Sequence, residues 1–202
     1  SDVCSSDLMK TLHRAGAAAV QLEDQVEMKR CGHRPGKRLV PVEEMVKRVR
    51  AAVKTRPGKD LVVMARTDAA AVEGLDAAIR RAQAYVHAGA DMIFAEALGT
   101  LPAYEKFCRA VQVPVLANMT EFGKTPMFSA KQFKSAGVRL VLYPLSAFRA
   151  MNAAARQVYR TIRSKGTQRS LLGRMQTRQE LYRLLDYHQA EHRADRKLSR
   201  KR

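Results

Sequence analysis

Five short runs along the chain are apolar almost throughout and do not alternate with polar residues. They are Ala18–Leu22, Leu61–Ala65, Asp91–Ala95, Val113–Ala117 and Arg139–Tyr143. Runs of this kind predict parallel strands buried on both faces. Amphipathic stretches lie between them. Pro41 to Lys54 places Val42, Met45, Val46 and Val49 at helical spacing, and Gly74 to Ala88 does the same with Leu75, Ala78, Ile79, Ala82 and Val86. A weak internal repeat supports the alternation. Arg14-Ala15-Gly16-Ala17, His87-Ala88-Gly89-Ala90 and Ser135-Ala136-Gly137-Val138 each put a glycine just past a helix and then start a strand. Repeated βα units imply right-handed crossovers and a parallel sheet, either open and doubly wound or closing as a (β/α)8 barrel. No glycine-rich phosphate loop follows any run, which weighs against a dinucleotide-binding fold.

Polar residues begin where each apolar run stops. The ends read Leu22-Glu23-Asp24-Gln25, Ala65-Arg66-Thr67-Asp68, Ala95-Glu96, Ala117-Asn118-Met119-Thr120-Glu121 and Tyr143-Pro144-Leu145-Ser146. In a parallel barrel these ends converge on the face that binds ligands, so Glu23, Arg66, Glu96 and Asn118 are expected to share one pocket. Two helical segments follow. Ser146 to Ser164 carries Phe148, Met151, Val158 and Ile162, and Gly166 stops it. The next helix opens at Thr177 with Glu180 three residues on, a capping box, and carries a stripe of Leu181, Leu184 and Leu185. That stripe either docks on another surface, such as a second subunit, or packs on its own barrel.

Charge alters the picture only slightly. The chain has 202 residues, 37 Lys+Arg against 19 Asp+Glu, and a formal charge of +18. The basic residues are spread along it, and the Arg193–Arg202 tail has no interleaved aromatics. Solvated helix faces and a basic end are expected, with some charge available for an anionic small molecule; no nucleic acid is expected as a partner. Cys4, Cys31 and Cys108 are odd in number and form no CxxC pair. This argues against a disulfide scaffold or a four-ligand zinc site and for a reducing, cytoplasmic setting. There is no secretory signal, and no apolar run has the ~18 residues of a membrane span.

One loop carries candidate chemistry. Lys29-Arg30-Cys31-Gly32-His33 follows the first predicted strand and gives the thiol cations at −2, −1 and +2. Cationic neighbours favour the reactive form of a thiol, and Gly32 allows close approach of a ligand. Cys108 lies in a helical stretch, Tyr104–Ala110, and reads as a small core residue.

Taken together, Leu22-Glu23-Asp24-Gln25 and Lys29-Arg30-Cys31-Gly32-His33 resemble the signature of the isocitrate lyase / phosphoenolpyruvate mutase superfamily. Further similar stretches are Met64–Asp68, Val72–Ile79, Leu116–Gly123, Tyr143–Asn152 and Met175–Arg178. The likeness runs from about Leu12 to Ala190 and is greatest to the short-chain branch acting on 2-methylisocitrate. It implies a Mg2+-dependent carbon–carbon lyase forming pyruvate and succinate in the methylcitrate cycle. By that resemblance Cys31 is the general acid, and Gly32 and His33 flank a substrate carboxylate. Arg66, Arg149 and Arg178 hold carboxylates, Asn118 and Thr120 bond the succinate half, and Glu96 sits by the reacting hydroxyl. Glu23 orients metal-bound water as an outer-shell carboxylate. Phe94 and Leu142 shape the space for the extra methyl group. A homotetramer with exchanged C-terminal helices is also implied.

The chain departs from the superfamily at its start. The first three strands, with their Ser-Gly-Gly-type loop and the aspartates that bind Mg2+ directly, have no counterpart. Residues 1–8 resemble nothing in the superfamily, and Val3-Cys4-Ser5-Ser6-Asp7-Leu8 reads like a translated sequencing adapter. The expected organisation is a non-native leader at 1–8, a partial βα barrel of about five units at 9–165, a docking helix at 166–192 and a basic tail at 193–202. By itself such a chain is expected to show little lyase activity.

Overall fold

Five parallel strands are hydrogen-bonded in the order of the chain: β1 (Ala19–Glu23), β2 (Val62–Thr67), β3 (Met92–Ala95), β4 (Val115–Asn118) and β5 (Leu140–Leu142). All five predicted runs are strands, with ends shifted by at most two residues. The computed structural model describes residues 2–199, with side chains described for residues 7–193 and 196. Ser1 of the expected leader and residues 200–202 of the expected tail lie outside the described residues.

Eight α-helices accompany the strands among the described residues: α1 (Asp2–Arg14), α2 (Val42–Thr55), α3 (Leu75–His87), α4 (Leu101–Val111), α5 (Ala130–Ser135), α6 (Ser146–Lys165), α7 (Arg178–Leu184) and α8 (Tyr187–Ser199). α2 begins directly after Pro41, with Glu43 and Glu44 in its first turn and Lys54 in its last, as the helix dipole favours. Thr100 caps α4 by accepting from Ala103 N–H at 3.2 Å. The three repeat glycines all have positive φ: 87° at Gly16, 103° at Gly89 and 87° at Gly137. Each helix end closes with the same bond one residue later, Ala17 to Leu12 C=O, Ala90 to Tyr85 C=O and Val138 to Phe133 C=O, all at 3.0 Å. This is the closure that a left-handed glycine makes possible, so the repeat is a repeat of helix ends.

The strands bury their two faces differently. Ala65 of β2, Ile93 and Ala95 of β3, and Val115 and Ala117 of β4 join Met45, Val49, Ala78, Ala82, Tyr85, Tyr104, Phe107 and Phe133 in one core. The opposite face holds a smaller cluster, Met64, Phe94 and Leu116. Towards the outer strands that face opens: Gln21 is exposed, and Leu140 and Leu142 are 44% and 40% exposed. The architecture is thus a run of βα units in which helices cover one face and the other faces inward, as in a (β/α)8-type fold.

Contacts divide the chain into residues 1–147 and 148–202. The expected boundary was at 165; the shift follows from α6, which buries none of its residues. α1 runs unbroken across the expected boundary at residue 8, and its Met9 packs with Ala52, Leu61 and Val63. The second unit corrects the expectation of a single docking helix. A 3-10 segment spans Arg169–Arg174, and the helix that Thr177 and Glu180 cap ends at Leu184. Asp186 then takes a φ of 49°, and α8 carries helical structure into the expected tail as far as Ser199. Leu181, Leu184 and Leu185 are all exposed.

Candidate active site

Strand alternation brings the candidate residues together. Parallel registers place Glu23 opposite Arg66, Arg66 opposite Phe94 and Asn118 opposite Leu142. Phe94 is in turn opposite Leu116, two residues before Asn118, and in-register residues of neighbouring strands share a face, so these side chains all lie on the inward face. Glu96 and Thr120 lie two residues beyond Phe94 and Asn118 and continue the same parity. Glu23, Arg66, Glu96 and Asn118 are therefore neighbours, as their positions at the run ends imply.

Arg66 is the hub. Its Nε lies 3.1 Å from Glu23 Oε1 and 2.9 Å from Asp68 Oδ2, and its Nη2 lies 3.1 Å from Glu96 Oε2. The guanidinium carbon stands 4.8 Å from the centre of the Phe94 ring. A guanidinium set over a ring, with three carboxylates around it, keeps a fixed fork. Lys29 Nζ meets Glu23 Oε2 at 2.6 Å, so both oxygens of Glu23 have cationic partners.

Glu96 is 1% exposed. Burial pushes its carboxyl above the usual range, against the opposing pull of Arg66 and His33. The His33 ring is oriented by Lys124 N–H, which donates to Nδ1 at 3.0 Å. That bond leaves the ring proton on Nε2, which faces Glu96 Oε1 at 3.1 Å but out of hydrogen-bond alignment. Asn118 Nδ2 reaches Glu96 Oε2 at 3.4 Å. Asn118 Oδ1 and Thr120 Oγ1 are buried without a hydrogen-bond partner. Unsatisfied buried polar atoms are rare and costly, and four of them in one cluster mark a surface that suits a polar ligand.

The cysteine loop covers this cluster through Gly32. A Cβ there would stand 2.5 Å from Glu96 Cγ and 2.7 Å from Arg66 Nη2, so no larger residue fits. Cys31 itself is a free, exposed thiol bordering a cavity of about 490 Å3 with Lys29, Arg30, Arg34 and Pro35. The local charge is as expected, with one correction. His33, counted among the thiol's cations, turns instead to Glu96, and Arg34 lines the cavity. Cys108 is half-buried and its thiol is pushed up to about 11 by burial, which fits a packing role.

Adjacent positions at the end of β1 serve different ends. Glu23 faces the cluster, whereas Asp24 points to the helix side and is fully buried. Asp24 accepts from Thr67 Oγ1 at 2.7 Å, Asp68 N–H at 2.9 Å and Tyr85 Oη at 2.9 Å. Arg81 lies 3.9 Å away and is itself bonded to Glu73, Val40 C=O and Tyr85. Tyr85, Arg81, Asp68 and Lys37 were not among the sequence candidates. Asp68 alone carried a signal, two residues beyond Arg66 and on the same face.

Arg149, on α6, and Arg178, the first residue of α7, are exposed and belong to the second unit; the cluster is built wholly from the first. Phe94 is buried under Arg66, while Leu142 is 40% exposed. Among the described residues no group of three or more His, Cys, Asp or Glu side chains could hold a metal ion, and no helix is long and apolar enough to cross a membrane.

A family model described as phosphoenolpyruvate phosphomutase matches residues 5–163. The chain is 58% identical over 187 residues to a 2-methylisocitrate lyase of Escherichia coli, covering 93% of this chain and 63% of that protein. It is 51% identical over 193 residues to one of Aeropyrum pernix, covering 96% and 62%. Among solved structures, a 2,3-dimethylmalate lyase superposes with a TM-score of 0.84 at 34% identity, covering 96% of this chain and 65% of that one. A phosphonopyruvate hydrolase in complex with oxalate and Mg2+ gives 0.80 at 27% identity, covering 98% and 69%. The chain thus spans less than two thirds of the length of the curated relatives it matches.

Proposed function

The chain belongs to the phosphoenolpyruvate phosphomutase family, and from that premise we propose that it serves a carbon–carbon lyase that cleaves 2-methylisocitrate to pyruvate and succinate. The observation that carries the reading is the Arg66–Glu96–His33 cluster with Gly32 packed on it and the unpartnered oxygens of Asn118 and Thr120 beside it. The curated relatives, 46–58% identical, share the name of that activity.

In this reading Arg66 holds a substrate carboxylate. Glu96, made more basic by burial, takes the proton of the substrate hydroxyl. The carbon bearing that oxygen becomes the ketone of pyruvate as its bond to the neighbouring carbon breaks. The bonding electrons pass to the succinate half as a carbanion next to a carboxylate. Asn118 and Thr120 supply the polar contacts to that half. The Cys31 S–H gives its proton to the carbanion, and Lys29, Arg30 and Arg34 stabilise the thiolate left behind. The thiolate regains a proton from Glu96 by way of solvent, which restores both groups.

Mg2+, a homotetramer through the C-terminal helices and a cytoplasmic location are parts of the same proposal. The described residues do not fit a directly ligated Mg2+: they hold no three-donor cluster, and Lys29 and Arg66 occupy the oxygens of Glu23. Glu23 is proposed only to face water around such an ion, and no step above passes through it.

The test is pyruvate release from 2-methylisocitrate with Mg2+, followed through lactate dehydrogenase and NADH. Cys31→Ala should lower turnover by about 10²–10⁴-fold, the usual worth of a general acid, with an unchanged far-UV spectrum. Full activity in that variant overturns the role of Cys31. Absence of any carbon–carbon cleavage by the complete protein overturns the reading itself. A second reading, a catalytically silent 202-residue chain, is favoured by one observation: the inward face is open at β5, where Leu140 and Leu142 are exposed. Pyruvate release by these 202 residues alone, at the rate of a full-length relative, excludes it.

A further inference from the structure

The buried ammonium of Lys37 has no part in the steps above, yet its surroundings are specific. Its side chain is 2% exposed. Nζ donates to Gly32 C=O at 2.5 Å and to Asp68 Oδ1 at 3.0 Å. Gly32 is the residue next to Cys31, and its α-carbon packs on Glu96 and Arg66. Asp68 is fully buried, and its other oxygen accepts from Arg66 Nε at 2.9 Å. One carboxylate therefore links the arginine at the centre of the cluster to the lysine that holds the cysteine loop. Although burial alone would raise it, Arg66 and Lys37 together hold the Asp68 carboxyl below its usual range.

The rest of the loop is tied at its base and its far end. Gln25 grips the backbone of Arg30 at two points, donating to its C=O and accepting from its N–H, both at 2.9 Å. His33 is fixed by Lys124 N–H. Between these ties, and among the described residues, one side chain hydrogen-bonds the Cys31–Gly32 segment to a residue at the end of β2, and it is Lys37. A buried cation is expensive to keep unless it is paired and hydrogen-bonded, and Lys37 meets both conditions through Asp68 and Gly32 C=O.

The geometry points to Lys37 as a positioning residue: through Gly32 C=O and Asp68 it latches the cysteine loop onto the Arg66–Glu96 cluster. It acts through other groups and does not itself meet the substrate. The latch follows from the contacts alone; its consequence for turnover rests on the lyase reading.

The two can be tested apart in the full chain. Lys37→Met keeps the aliphatic stem and removes the charge. Amide hydrogen exchange, resolved by peptide, should accelerate about tenfold or more over residues 29–36, while Val62–Thr67 and Met92–Ala95 exchange as in the parent. Lys37→Arg, which retains a cation, should stay within about threefold of the parent over the loop. If the lyase reading holds, Lys37→Met lowers kcat about tenfold or more and leaves KM within about threefold, because substrate still meets Arg66. An unchanged loop in Lys37→Met overturns the latch, as does equal acceleration across loop and strands, which assigns Lys37 to general stability. Should Lys37→Met not fold, Lys37→Gln carries the same comparison of loop with strands. A parent that releases no pyruvate removes only the turnover arm, and the exchange pattern still decides the latch.

Discussion

Asp24 and Glu96 are both buried carboxylates at the ends of apolar strands, and burial pushes both above the usual range. Their surroundings differ. Asp24 faces the helices, accepts three hydrogen bonds and has Arg81 nearby. Glu96 faces inward; one oxygen meets Arg66 and Asn118, and the other meets His33 out of alignment. Around Asp24 the donors and acceptors are matched. Around Glu96 several are left over. A completed network fixes a scaffold, whereas an incomplete one has capacity left for a ligand. On this basis Asp24 holds the ends of β1 and β2 together, and Glu96 serves chemistry.

The largest expected effect separates the two by activity. Glu96→Gln should lower turnover by about 10²–10⁴-fold, because the amide cannot take a proton. Its unfolding free energy should stay within about 1 kcal/mol of the parent, since Arg66 retains Glu23 and Asp68 and no charge is left to desolvate. A large loss of stability without loss of turnover would reverse the assignment. Asp24→Ala should do the opposite at the level of folding. It strips the partner from Thr67, Asp68 N–H, Tyr85 and Arg81, at a cost of about 3–5 kcal/mol in urea unfolding. A cost below about 1 kcal/mol would show that the network is not structural.

The parts of this comparison were unequally legible in the sequence. Glu23, Arg66, Glu96 and Asn118 could be grouped because each directly ends an apolar run, and strand alternation then sets their common face. The helix ends could be read because Gly16, Gly89 and Gly137 recur before strands. The networks that support the site could not. Tyr85 meets Asp24 across 61 residues and Lys37 meets Asp68 across 31, and nothing local to either marks the partner. His33 was legible as a cation near the thiol, but its orientation is set by Lys124 N–H, 91 residues away. The break between α7 and α8 was hidden for another reason. It falls at Asp186, with no Gly or Pro to announce it, and only the φ of 49° shows the turn.

A smaller change probes the Asp24 network alone. Tyr85→Phe keeps the ring and removes one donor, leaving Asp24 with two hydrogen bonds and Arg81. The expected cost is about 1–3 kcal/mol, with loss of the phenol that burial pushes well above its usual range. Because Tyr85 does not touch the Arg66 cluster, KM should move less than about twofold. A KM shift well beyond that, at unchanged stability, would show that the two networks are coupled.

The smallest expected effect is in the pH dependence of stability, and it isolates Glu96. Its folded-state pKa is raised, so between the unfolded value near 4.5 and that raised value the folded chain binds more protons than the unfolded one. Unfolding free energy then falls as pH rises through this window, by at most about 1.4 kcal/mol per pH unit for one group. Asp24 contributes with the same sign, and Asp68, whose carboxyl is held low, contributes with the opposite sign as pH falls. The raw curve is therefore a sum, and the difference between parent and Glu96→Gln is the measurement to make. That difference should grow in favour of the variant from pH 4.5 upward and level off once Glu96 is ionised in both states. A flat difference would mean that Arg66 and His33 fully offset the burial of Glu96. Glu96 would then be as well satisfied as Asp24, and the distinction between scaffold and site would have to rest on Asn118 and Thr120 instead.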